Sequence, residues 1–352
     1  MPSPLTQHSY VAKFVDELKS ENFGIHKMFN KFIYSEQSTI SMGQHARHYL
    51  LPRSVPLNSN KRQQMIAGEA RFDFMTVPQF ALEKQITPQM LEEQIPMEYL
   101  SAKPFSRQTR ESWHVAQSLT EMVRMMHREM ERQGAEALLR GKIDFDGAAA
   151  SIDFKRDKNN TLSVSKEWTN SSADILGDLA GLVSQIRLQG GEPNMVILGE
   201  SAWNALLRNE LLLKLLDNSR VFIGQVASKV NALGQVEVAK LNIHGIVMPF
   251  IVYSAQHEVE HPDGTISVKK YIDPNAVIML DTRQDLFTFF GKPPLFDEHR
   301  LTRMNVDGAV FEAFREVGGA QSYSVGIVSR PLLFPARPNL TAVLMANGAT
   351  IK

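Results

Sequence analysis

The chain has 352 residues, of which 38 are basic and 38 acidic, and it contains no cysteine. A formal net charge of zero argues against a dedicated nucleic-acid-binding module, which neutralises phosphates with a basic excess. The missing cysteines exclude disulfide staples, thiol catalysis and cysteine-ligated metal centres. Residues 1–20 do not read as a secretory signal, and no apolar run approaches the length of a membrane span. The expected setting is therefore soluble and cytoplasmic, with length enough for two domains or one domain with extensions.

The first hundred residues are unlike a compact domain. Apolar clusters at 14–18 and 29–34 sit among polar residues, followed by Pro52, Pro56, Asn58, Asn60 and Gly68. Over 70–86 the pattern turns strand-like: Phe72 and Phe74 alternate with Arg71 and Asp73, and after Pro78 the residues Phe80, Leu82 and Lys84 resume the alternation. Proline keeps such a run out of a central strand. The predicted element is an extended two-stranded arm that has no core of its own and leans on another surface.

The segment 106–140 has no proline, and Ala116, Leu119, Val123, Met126, Met130 and Ala137 recur mostly at three- and four-residue steps. Ser106 offers a cap and Gly141 a left-handed C-terminal stop. A helix of that length spans ~50 Å. Trp113 and Gly134 interrupt any heptad, so a helix lying across a sheet is expected rather than a coiled coil.

Ile143-Asp144-Phe145 and Ile152-Asp153-Phe154 then read as a hairpin around Asp146-Gly147. Residues 174–189 read as an amphipathic helix capped by Ser171 or Ser172. Its buried face is Ile175, Leu176, Leu179, Leu182, Val183 and Ile186, and Gly190-Gly191 ends it. A buried strand follows at 195–198, then helical sequence through Trp203, Leu206 and Leu207, and a leucine-rich helix at 211–216. Strand character dominates 236–253, Pro262-Asp263-Gly264 makes a turn, and further strands are predicted at 268–271, 276–280, 325–333 and 340–345. This half reads as a compact α+β domain.

Two segments carry chemical motifs. His257-Glu258-Val259-Glu260-His261 matches the spacing of helical zinc sites, but it follows Ile251-Val252-Tyr253 and runs into a turn. In a strand, residues four apart stand ~13 Å from each other, too far to share one metal ion. The favoured reading is a polar cluster on an exposed hairpin, with a zinc hydrolase using His257, Glu258 and His261 as the alternative. Ser201 sits where a nucleophile elbow would place it, but Trp203 occupies the position that needs glycine, so Ser201 reads as a helix start. His45, His48, His114 and His127 form no ligand constellation, and Arg128 and Arg132 read as a solvated or interface face. No catalytic residue, cofactor or metal site is predicted.

The order of parts, namely arm, extended hairpin, one very long helix, compact α+β domain and returning strands, resembles the Hong Kong ninety-seven fold. Several segments are similar to the lambda-type tailed-bacteriophage major capsid protein family, capsid protein E. They are Ile86-Thr87-Pro88-Gln89-Met90; Leu138-Leu139-Arg140-Gly141-Lys142 with the hairpin after it; Ile251-Val252-Tyr253-Ser254-Ala255-Gln256; Ile272-Asp273-Pro274-Asn275-Ala276-Val277; and Arg330-Pro331-Leu332-Leu333. The resemblance covers about 16–345.

It implies an N-terminal arm (1–59), an extension loop (60–94), a peripheral domain (95–170) carrying the helix 106–140, an axial domain (171–318), and strands (319–352) returning to the peripheral domain. The expected function is a capsid subunit that assembles into pentamers and hexamers around the genome. Arg71, Phe72, Phe74, Phe80, Leu82 and Lys84 are the expected inter-subunit contacts. Implied partners are further copies of the chain, a scaffold protein, a portal, a decoration protein and, by weak non-specific contact, packaged double-stranded DNA; no membrane is implied. The implied location is the virion, after assembly in the host cytoplasm. An encapsulin-like nanocompartment shell is the alternative within the same fold.

Overall fold

The computed structural model describes residues 24–37, 39–45, 70–96, 104–145, 151–210, 224–230, 236–260, 263–295, 299–318 and 322–351. Within these, the side chains of 39–45, 70–75, 224–230, 236, 260 and 318 are not described.

A helix spans Arg107–Leu139, within a residue of the expected limits at each end. Its ends are set by local chemistry. Ser106 Oγ accepts from Thr109 N at 3.1 Å, filling one of the orphan donors of the first turn. Gly141 takes φ +69° and its N–H bonds Ala137 O at 3.2 Å, a left-handed stop that glycine adopts without strain. The six apolar residues picked out by spacing are all buried, and the helix packs on the strands Pro331–Pro335 and Ser322–Ser329. Gly134 marks the closest approach: a Cβ there would lie 3.1 Å from Ile25 Cγ2 and 3.4 Å from Leu333 Cδ2.

Two sheets support this helix. One has the order Lys31–Ser35, Leu286–Gly291, Pro331–Pro335, with the first pair parallel. The other has the order Arg300–Val306, Ala309–Gly318, Ser322–Ser329, Phe80–Ile86, antiparallel throughout.

A seven-stranded sheet forms the second body, ordered Thr161–Leu162, Thr341–Met345, Ala276–Leu280, Met195–Leu198, Ile246–Val252, Val236–Ile243, Gly224–Val230. Its central strands are continuously apolar because both faces are covered. Val196, Leu198, Val277, Met279, Ala342 and Leu344 meet the helices Ile175–Leu188 and Glu200–Arg208 in one core. Ile197, Ile278, Leu280, Val343 and Met345, one residue out of phase, join the core of the long helix. The period of two along a strand thus divides each strand between two cores.

Several expectations are corrected. The strand-like runs over 70–86 do not pair with each other: Ala70–Thr76 pairs antiparallel with Thr39–His45, and Phe80–Ile86 is a strand of the four-stranded sheet. Proline breaks the run at Pro78, and Arg330 Nη2 donates to Val77 O at 2.7 Å, fixing the chain where it changes partner. The N-terminal reading also changes from residue 24 on. Ile25, Met28 and Phe29 are buried against the long helix, and Lys31–Ser35 is a sheet strand, because these apolar residues find a core within their own chain.

The two-body division likewise departs from the expected limits. Leu286–Gly291 and the strands over 300–318 lie with the long helix, whereas Thr341–Met345 lies in the seven-stranded sheet. Asp174, not a serine, caps the helix Ile175–Leu188, accepting from Gly177 N at 2.9 Å. The hairpin after the long helix is as expected but short, pairing Lys142–Ile143 with Ile152–Asp153. The predicted helix at 211–216 lies outside the described residues.

Candidate assembly surfaces

The six contact candidates fall into two groups. Arg71, Phe72 and Phe74 lie on Ala70–Thr76, opposite Gln44, Gly43 and Ser41 in register; their side chains lie outside the described residues. Phe80, Leu82 and Lys84 lie opposite Ser329, Ile327 and Val325. Phe80 and Leu82 are half-buried against the core of their own chain, and the Phe80 ring meets that of Phe145 at 6.3 Å. Lys84 Nζ stands 3.4 Å from Glu121 Oε2. A hydrogen bond from Gln117 and the nearby Lys84 charge hold the Glu121 carboxyl below its usual range, although an exposed pair like this contributes little to stability.

The anchor of the N-terminal segment is a buried carboxylate. Glu131 of the long helix is fully buried and accepts Ile25 N at 3.0 Å, His26 N at 2.8 Å and His26 Nδ1 at 2.7 Å. The hydroxyl of Tyr253, just past the strand Ile246–Val252, also donates to it. A buried charge is tolerable only with such a full set of donors. The His26 ring stacks on His127 at 5.7 Å. Burial and the neighbouring His26 push the His127 imidazole down to about 4. Nearby, Glu129 and Glu136 hold Arg132 protonated above its usual range despite burial. Nothing in a one-dimensional pattern marks Glu131, because its partners lie more than a hundred positions away.

The zinc-like motif occupies a strand: His257 and Glu258 lie within Gln256–Glu260, paired with Ile266–Lys270. His257 stacks on Tyr271 at 4.5 Å, and burial lowers its pKa; His261 lies outside the described residues. That hairpin is less polar than expected, since Ile266 and Val268 project into solvent. Ser201 sits in the first turn of Glu200–Arg208. Gly199 precedes it because a Cβ there would stand 2.3 Å from Pro274 O. Phe32 and Tyr34, within the apolar cluster at 29–34, are two further exposed aromatic residues.

A family model described as phage major capsid protein E matches residues 55–344. No curated protein matches the chain. Among solved structures, the fold is similar to a prophage protein of E. coli CFT073, at TM-score 0.62 and 13% identity, covering 96% of each chain. It is similar to a phage-related protein of Bordetella bronchiseptica RB50 at TM-score 0.55 and 13% identity, covering 97% of each chain. The capsid subunit of cyanophage A-1(L) matches at TM-score 0.55 and 10% identity, covering 96% of this chain and 95% of that one.

Proposed function

The chain belongs to the phage major capsid protein E family, and from that premise we propose that it is the shell subunit of a tailed-phage head, with the Hong Kong ninety-seven fold. The observation that carries the proposal is the reach of the family match. Residues 55–344 take in the long helix, most of the three sheets and most of both cores, so what is shared with the family is the bulk of the architecture rather than one module.

The role is structural, and location in the virion follows from it. Copies of the chain are the principal partners, in pentamers and hexamers assembled in the host cytoplasm; a scaffold protein, a portal and a decoration protein complete the set. A net charge of zero suits a wall that encloses DNA with weak, non-specific contact. The body built on the long helix corresponds to the peripheral domain, and the seven-stranded sheet with its two helices to the axial domain. Of the expected extension loop (60–94), the strand Ala70–Thr76, paired with Thr39–His45, is the part that faces outward to a neighbour. Arg71, Phe72 and Phe74 are its contact candidates toward a neighbouring subunit.

Negative-stain electron microscopy of the purified chain, with sedimentation velocity across salt and concentration, tests the proposal. Hollow polyhedra, tubes or discrete rings are expected. A chain that stays monomeric or dimeric throughout overturns it.

A further inference from the structure

Among the described residues, the ribbon of Gln256–Glu260 and Ile266–Lys270 is a two-stranded sheet by itself, and an isolated hairpin is marginal in water. One face is supported. His257 pairs with Lys269 and Val259 with Ser267 on the side turned toward the molecule, where His257 stacks on Tyr271. The other face is not supported. It carries Glu258 opposite Val268, with Ile266 two residues along, and Ile266 and Val268 are 67% and 59% exposed. Two β-branched side chains are thus held out to water beside the Glu258 carboxylate, on an element without a core of its own.

A patch of complementary character lies on the edge strand Lys31–Ser35. Phe32 and Tyr34 are 38% and 48% exposed, and their rings stack at 6.5 Å on each other and at 6.4 and 5.8 Å on Phe290. The patch is pre-organised, because Tyr34 donates to Gly308 O at 2.7 Å. Arg303 lies close enough for its charge to act on the Tyr34 hydroxyl. Arg300 holds Glu312 at 3.2 Å, while Arg303 stands 3.8 Å from it with its side chain 61% exposed. Rigid aromatic residues beside an arginine are the composition of interface centres, and they lose little entropy on docking.

We propose that the outward face of the ribbon, with Glu258, Ile266 and Val268, docks on Phe32, Tyr34 and Arg303 of a second copy of the chain. The inference rests on the shell-subunit reading. Aliphatic side chains would cover the aromatic rings while Glu258 approaches Arg303, so apolar and charge complementarity act together. Ribbon-on-ribbon docking would instead bring Glu258 toward its own copy. A contact between two different patches is heterologous and repeats from copy to copy until a ring closes, as a capsomer requires.

The chain has no cysteine, so introduced thiols are the only ones present. A tagged Ile266→Cys chain and an untagged Tyr34→Cys chain are co-expressed, and the assembled shells are treated with a short bis-maleimide. The expected product is a dimer containing both chains, absent when either variant assembles with wild-type chain alone. Normal shells without that mixed dimer overturn the inference and leave the shell reading standing. Failure of the wild-type chain to assemble overturns both. As a second measurement, Glu258→Arg is expected to lower shell yield several-fold and Glu258→Gln much less. Equal yields for the two variants and the wild type count as refutation of the charge pairing.

Discussion

His26 Nδ1 and Glu131 Oε2, 105 positions apart in the chain, meet at 2.7 Å inside the core. Through this contact and the two backbone amides beside it, one carboxylate holds the start of the described chain against the long helix. The hydroxyl of Tyr253, just past a strand of the seven-stranded sheet, joins the same carboxylate, so Glu131 ties three parts of the fold together. Removing it strands four donors in a dry site. Glu131→Ala is expected to lower the stability of the unassembled chain by about 3–5 kcal/mol, the usual cost of breaking a buried charged network. Tyr253→Phe should cost about 1–3 kcal/mol. Urea unfolding of both variants and of the double variant checks this, with the double cost falling short of the sum.

His127 gives the fold a pH dependence. Its pKa falls from 6.5 to about 4 in the folded chain, chiefly through burial, so the native state favours the neutral ring. The groups around it are the His26 ring, Lys27, Asp307 and the edge-on Phe311 at 5.6 Å. In acid the unfolded chain binds the proton that the folded chain refuses. This contribution is therefore fully present above about pH 6.5 and is lost as pH falls toward 4, up to about 3 kcal/mol in all. Unfolding midpoints measured from pH 7.5 to 4.5 should show His127→Gln with a shallower slope than the wild type.

Gly134 separates helix propensity from packing. Alanine is the better helix former by about 1 kcal/mol, but its Cβ would press on Ile25, Phe29 and Leu333 at 3.1, 3.3 and 3.4 Å. The two effects nearly cancel, and Gly134→Ala should stay within about 1 kcal/mol of wild type. Gly134→Leu has no such offset and should cost about 1–3 kcal/mol through overpacking. Thermal unfolding of the two variants distinguishes them; equal stability would mean that the contact is not tight.

Phe80 distinguishes packing within the chain from packing between chains. Because the ring is half-buried against its own core and meets Phe145, Phe80→Ala should destabilise the unassembled chain by about 1–3 kcal/mol, less than a fully buried phenylalanine would. A variant that unfolds like wild type yet assembles poorly would return Phe80 to the inter-subunit contacts.

The long helix was legible because everything that defines it is local. The apolar steps from Ala116 to Ala137, the Ser106 cap and the Gly141 stop lie within the segment itself. The strand character of 70–76 and 80–86 was legible for the same reason. The choice of partner was not, since Phe80 and Leu82 alternate in the same way whether the surface beside them is a hairpin twin, another subunit or the long helix. The hairpin turn at Asp307-Gly308, with φ of +51° and +86°, carries the Asp-Gly signal of a tight turn between alternating strands.

By itself the sequence determined the long helix with both its ends, the helix at 175–188, several strands of the α+β half and, through the co-linear order of its segments, the family. It did not determine the strands Lys31–Ser35, Leu286–Gly291, Arg300–Val306 and Ala309–Gly318. Tertiary structure alone decided that Phe80–Ile86 joins Ser322–Ser329, that Thr341–Met345 enters the seven-stranded sheet, and that Glu131 becomes the socket for His26. The reason is range. Caps and periodicities act over three or four residues, whereas strand pairing and buried charge networks depend on surfaces that exist only once distant segments have packed together.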